Sequence, residues 1–252
     1  MSFRPALFLL LFSVLAGCVS SGSSDPMKTD KGRDAARDAY IQLGIGYLQQ
    51  GATERAKVPL KKALELDPSS GNANVALALV FQAEMEPELA DQHFRKALAQ
   101  NSKDPRYLNN YGSFLFEQGR YQDAYERYQQ AAQDNLYPER SRVFENLGLT
   151  ALKLNDKAQA QKYFERAVRL NKRQPRALLA LAQMSFDQKH YVPARHYYDQ
   201  FSQVSEQNAE SLLLGARLAT VFEDRDKAAS LGLQLKRLYP GTPEYKQYLS
   251  EQ

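Results

Sequence analysis

Tryptophan is absent from this chain of 252 residues, and cysteine occurs once, at Cys18. A single thiol closes no internal disulfide, so a disulfide framework is excluded and the thiol needs another explanation. No apolar run reaches the roughly 20 residues of a membrane-spanning helix. The 33 basic and 29 acidic residues are interspersed and leave a net charge of +4, without the clustered basic stripe of a nucleic-acid binder. Catalytic grammar is missing too. There is no G-x-S-x-G elbow, no Gly-Lys phosphate loop, no dinucleotide fingerprint and no H-E-x-x-H pair. His93, His190 and His196 have no third ligand spaced near them, and Glu84 and Glu86 read as a solvated helix end before Pro87. The chain is expected to be no enzyme and to hold no metal. What is present, 43% apolar and 25% charged residues with 15 tyrosines and 12 phenylalanines, is ordinary for a folded protein.

The chain begins with Arg4 and an apolar run from Ala6 to Leu15 broken only by Ser13. A positive start and about ten apolar residues make a signal peptide, too short to span as a stable helix. The run ends at Leu15-Ala16-Gly17-Cys18, which resembles the lipobox of bacterial lipoproteins. Residues 1–17 are then removed and Cys18 carries the lipid; the alternative is a plain secretory signal that leaves a free thiol. Val19 rather than Asp after the cysteine implies, by the same resemblance, sorting to the outer membrane of a Gram-negative bacterium. The Ser20-Ser21-Gly22-Ser23-Ser24 segment reads as part of a flexible tether over residues 18–34.

From Arg37 the chain repeats, with units beginning at Arg37, Gly71, Pro105, Ser141, Pro175 and Ala209, at intervals of 34, 34, 36, 34 and 34. This is the tetratricopeptide period of two helices per unit. Position 20 is alanine in all six units, from Ala56 to Ala228. Position 8 is always glycine or alanine, and position 24 is large in five units, with Gly232 in the sixth. Small residues let two helix axes approach, and a large neighbour fills the gap between turns. The expected fold is all-α: six helix-turn-helix units (37–70, 71–104, 105–140, 141–174, 175–208 and 209–242) in a right-handed solenoid over residues 35–252. A short cap at Tyr245 to Leu249 covers the last hairpin. The extra two residues fall near Asp134 to Arg140, as a longer connection. Pro193 falls in a first helical turn, whereas Pro59 lies deeper and should cost a hydrogen bond or a bend.

The first helices of such units line a concave face. Its floor in units one and two is Ile41, Ile45, Leu48, Val75 and Leu79, branched aliphatics where polar groups are usual, while Asn109 and Ser113 make unit three polar. Either this apolar floor receives a strand or helix of a partner, or the N-terminal segment or tight curvature covers it. Arg106, Asn110, Arg142 and Asn146 partly match the tetratricopeptide clamp for a C-terminal carboxylate, with Asn109 and Glu145 where a basic residue is wanted.

Thr29-Asp30-Lys31-Gly32-Arg33 before Tyr40-Ile41-Gln42-Leu43-Gly44, and Tyr137 through Gly148, go beyond what any such repeat needs. With Tyr191 to Arg195 and Val221 to Arg225, they resemble the type IV pilus biogenesis and stability lipoproteins called PilF or PilW, over essentially the whole chain. The resemblance implies a pilotin, which binds subunits of the outer-membrane secretin, carries them to that membrane by the lipoprotein sorting machinery and promotes their multimerisation. It implies no cofactor beyond the lipid on Cys18, anchoring rather than spanning, no nucleic acid, and a chain monomeric by itself. Two rivals stay open: an envelope scaffold for peptidoglycan enzymes or β-barrel insertion, and an enzyme with an unrecognised site.

Overall fold

The structure is a computed structural model and describes residues 26–251. The expected signal peptide, Cys18 and the tether up to residue 25 lie outside the described residues. Among those described, a 3-10 turn (Pro26–Lys28) precedes thirteen α-helices and no strand. Six hairpins follow in order: α1 (Asp30–Gln49) with α2 (Thr53–Leu66), α3 (Gly71–Ala83) with α4 (Pro87–Gln100), and α5 (Pro105–Glu117) with α6 (Tyr121–Ala131). Then come α7 (Arg140–Lys153) with α8 (Lys157–Leu170), α9 (Pro175–Asp187) with α10 (Tyr191–Val204), and α11 (Ala209–Val221) with α12 (Arg225–Leu238). Each helix packs on its hairpin partner, those from α1 to α11 also pack on a neighbouring unit, and α13 (Pro243–Ser250) closes the stack against α11 and α12. This is the all-α tetratricopeptide solenoid that the period of 34 predicts. None of the described helices is long and apolar enough to cross a membrane.

The frame fixes the hairpins through contacts between its positions 8 and 24. A methyl group added to Gly44 would lie 2.5 Å from Leu60, and one on Gly112 would lie 2.7 Å from Tyr128. The large residues in those gaps, Leu60, Phe94, Tyr128, Phe164 and Tyr198, are all buried. Gly232 breaks the pattern, and the ring of Tyr248 from α13 lies directly against it, so the cap supplies what the last unit lacks. Ala228 in that unit is half-buried, while the five earlier alanines of its column are buried completely.

Every first helix ends the same way. Position 15 has positive φ in all six units: Gly51, Met85, Gly119, Asn155, Lys189 and Glu223. The next residue returns its N–H to a carbonyl five residues back, as in Ala52 to Tyr47, Glu86 to Phe81 and Asp156 to Ala151. This left-handed cap satisfies carbonyls that a helix end would leave orphaned. Two of the six are glycine and Asn155 adopts this region readily, so the fold imposes the conformation on Met85, Lys189 and Glu223.

Four local expectations meet the structure with different outcomes. The tether was expected to run to residue 34, but α1 begins at Asp30 because Thr29 caps it, its Oγ1 accepting from the Gly32 N–H at 3.0 Å. Pro59 sits buried inside α2, which runs unbroken to Leu66, so the ring removes one hydrogen bond without ending the helix. Pro193 lies in the first turn of α10 as expected. The two extra residues do lengthen the third connection. Its helix α6 has 11 residues against 14 in α4, and Arg140 Nε donates to the Ala132 carbonyl at 2.9 Å across the longer link.

Candidate functional site

The concave face is built by α1, α3, α5, α7, α9 and α11, and its character changes along the stack. At the N-terminal end α1 and α3 bring Ile41, Ile45, Leu48, Val75 and Leu79 together around a cavity of about 500 Å³. Its polar edges include Asp38, Gln42, Gln49, Asn72, Arg106 and Asn110. The five apolar residues do not contribute equally. Ile41 (4% exposed) and Val75 (7%) are core side chains, whereas Ile45, Leu48 and Leu79 are half-buried and present the open apolar surface. The reason is general: position 5 faces the seam between successive first helices and is buried in every unit, through Asn109, Glu145, Leu179 and Leu213. No described residue of the N-terminal segment covers this cavity.

Burying position 5 makes its polar occupants demanding. Glu145 is 3% exposed, and a buried carboxylate needs partners for its charge and lone pairs. The next unit supplies them. Arg176 reaches Glu145 Oε2 through Nη2 at 2.7 Å and Nε at 3.0 Å, and the Ala177 N–H donates to Oε1 at 3.0 Å. Arg176 also donates to Asn146 Oδ1 at 3.1 Å, and Asn146 Nδ2 donates to Asn109 Oδ1 at 3.2 Å. Asn109, Glu145, Asn146 and Arg176 therefore form a polar belt across the middle of the groove, internally satisfied.

This belt takes the carboxylate clamp apart. Arg106 and Asn110 border the N-terminal cavity, but Arg106 is held by Asp104, at 2.7 Å from Nη2 to Oδ2. Arg142 pairs with Glu139 at 3.3 Å, and the amide of Asn146 is spent on the belt. The four residues do not converge on one anion site. Arg176 was missed in the sequence, although one signal was available: position 2 is arginine in three successive units, at Arg106, Arg142 and Arg176.

Tetratricopeptide-repeat models match residues 38–70, 104–173 and 145–203. The chain is 63% identical over 251 residues to the type IV pilus assembly protein PilF of Pseudomonas aeruginosa, covering 100% of both. The chain belongs to the PilF family. A solved structure of Pseudomonas aeruginosa PilF is 64% identical and superposes with a TM-score of 0.86, covering 88% of this chain and all of that one. A second, of PilW, a widely conserved type IV pilus biogenesis factor, is 25% identical with a TM-score of 0.72, covering 84% and 98%. The resemblance read from the Tyr137 to Gly148 segment thus holds across the chain. The same segment builds part of the stack and of the belt: Ser141 receives a hydrogen bond from buried Gln174, and Glu145 and Asn146 belong to the belt.

Proposed function

We propose that the chain acts in type IV pilus biogenesis as a pilotin, anchored to the outer membrane by a lipid on Cys18 and gripping secretin subunits through the groove of units one and two. The observation that carries this reading is the full-length identity to a type IV pilus assembly protein. The groove agrees with it. An open apolar surface of Ile45, Leu48 and Leu79 lies between polar edges, in the units nearest the tether. Such a surface suits an apolar strand or helix of a protein partner, with the edge groups satisfying its polar flanks. A repeat scaffold of this kind works by holding, which fits a role without catalysis.

Three measurements test it. Ile45→Glu with Leu79→Glu should abolish binding of the organism's own secretin and leave far-UV helicity unchanged; retained binding rejects the groove. In cells carrying Cys18→Ala, secretin multimers should form at the wrong membrane. Normal multimers at the outer membrane, or defects in cell shape and general barrel content on deletion, reject the pilotin reading.

A further inference from the structure

Beyond the polar belt the concave face becomes apolar again. Leu149, Leu152, Leu179, Ala180 and Met184 of α7 and α9 floor a second cavity of about 620 Å³, larger than the first. That volume lies within the range of about 300–1,000 Å³ typical of ligand sites. Leu179 is buried, and the other four are half-buried and open to the groove. Met184 adds a flexible, polarizable side chain that adapts to different occupants.

The charges around this floor are uneven. First helices of 13 or 14 residues are about 20 Å long, so their two ends form opposite edges of the groove. At the C-terminal edge stand Lys157 and Asp187, one of each sign. At the N-terminal edge Arg176 is already neutralised by Glu145, which leaves Glu210. Among the described residues Glu210 has no cation partner, and Glu244 of α13 faces it with the same sign. Partial desolvation and that repulsion push the Glu210 carboxyl above its ordinary range, while the residue as a whole stays exposed at the rim of the groove. An acid in this position gains from a cation brought by a ligand.

We infer that the groove of units four to six is a second docking site, for a protein segment that presents an apolar stripe and one Lys or Arg to Glu210. The chain's own residues 19–25, Val-Ser-Ser-Gly-Ser-Ser-Asp, hold a single apolar side chain and cannot supply the stripe. The site is separate from the one proposed above, because the belt of Asn109, Glu145, Asn146 and Arg176 divides the two floors. It does not depend on the identity of the first partner.

The test is selection of a displayed library of random 16-residue peptides on the purified full chain, followed by fluorescence anisotropy of synthetic copies. Peptides with Leu, Ile or Phe and a basic residue should bind the wild type. They should weaken at least tenfold on Leu152→Glu with Met184→Glu, and several-fold on Glu210→Gln. Both substituted leucine and methionine sites are half-buried, and circular dichroism checks that the variant folds; Met184→Glu alone serves if the pair does not. The same peptides should ignore Ile45→Glu with Leu79→Glu. If every selected peptide depends on Ile45 and Leu79, or none responds to the Leu152 and Met184 changes, the second site is rejected. Binders that respond there but carry no basic residue and ignore Glu210→Gln reject the chemistry assigned to the partner, as does occupation of the floor by a second copy of the chain seen as a dimer in solution.

Discussion

A methyl group on Gly148 would lie 2.5 Å from Cε1 of Phe164, closer than carbon atoms approach without displacement. The two residues are sixteen positions apart, on the two helices of unit four, and their contact sets how near the axes come. Gly148→Ala should therefore cost about 1–3 kcal/mol by overpacking. A denaturant titration would show a lower midpoint with an unchanged slope, and Phe164→Leu in the same chain should recover part of the loss.

Arg176 and Glu145 form a pair in which one member is buried and the other reaches solvent, with side-chain exposures of 4% for Glu145 and 55% for Arg176. Removing the arginine strands the acid. Arg176→Ala should cost roughly 2–3 kcal/mol, below the about 3–5 of a fully buried pair because the guanidinium is half in water. Glu145→Gln placed on that background should restore stability, since an amide needs no counter-charge. A double-mutant cycle that finds the two effects simply additive would overturn the pairing as an energetic unit.

Met85 adopts φ of 60° while its side chain is 88% exposed, so the strain is not repaid by packing. The left-handed region costs a residue with a side chain roughly 1–2 kcal/mol, offset in part by the greater freedom of glycine in the unfolded chain. Met85→Gly should stabilise by about 0.5–1 kcal/mol and raise Tm. Gly119→Ala, at φ of 73° in the next unit, should lower it.

His93 stacks on Phe81 at 5.3 Å, and its Nδ1 lies 2.9 Å from Asn74 Oδ1. Asn74 Nδ2 donates to the Ser70 carbonyl at 2.9 Å, which turns its oxygen toward the ring and makes Nδ1–H the donor. Burial, with Lys96 adding repulsion, holds the imidazole below its ordinary pKa. The unfolded chain then takes up a proton more readily than the folded one. Stability is complete above about pH 6.5, the ordinary imidazole value, and falls as pH drops through that range. His190 and His196 are exposed, so the fall in Tm between about pH 7.5 and 5 should flatten on His93→Gln.

Much of this was legible in the chain. Six alanines in one column, small residues in another and the period of 34 require stacked hairpins, because each pattern says which side chains must touch. The apolar floor at Ile45, Leu48 and Leu79 could also be read, since position within the frame decides which way a helical residue points. Other features could not. Nothing at Met85, Lys189 or Glu223 announces a left-handed cap, which the stack imposes against their local preference. The clamp pattern could not show that the stack commits Asn146 to Arg176 and Asn109, because those partners come from other units.

By itself, then, the sequence determined the period, the class of fold, the family and the register in which helices meet, all of them consequences of residue spacing along a helix. The tertiary structure decided which groove residues are floor and which are core, which charges are spent internally, and that the apolar face is divided in two. Those outcomes depend on neighbours a full unit apart, brought within hydrogen-bond distance only when the hairpins stack.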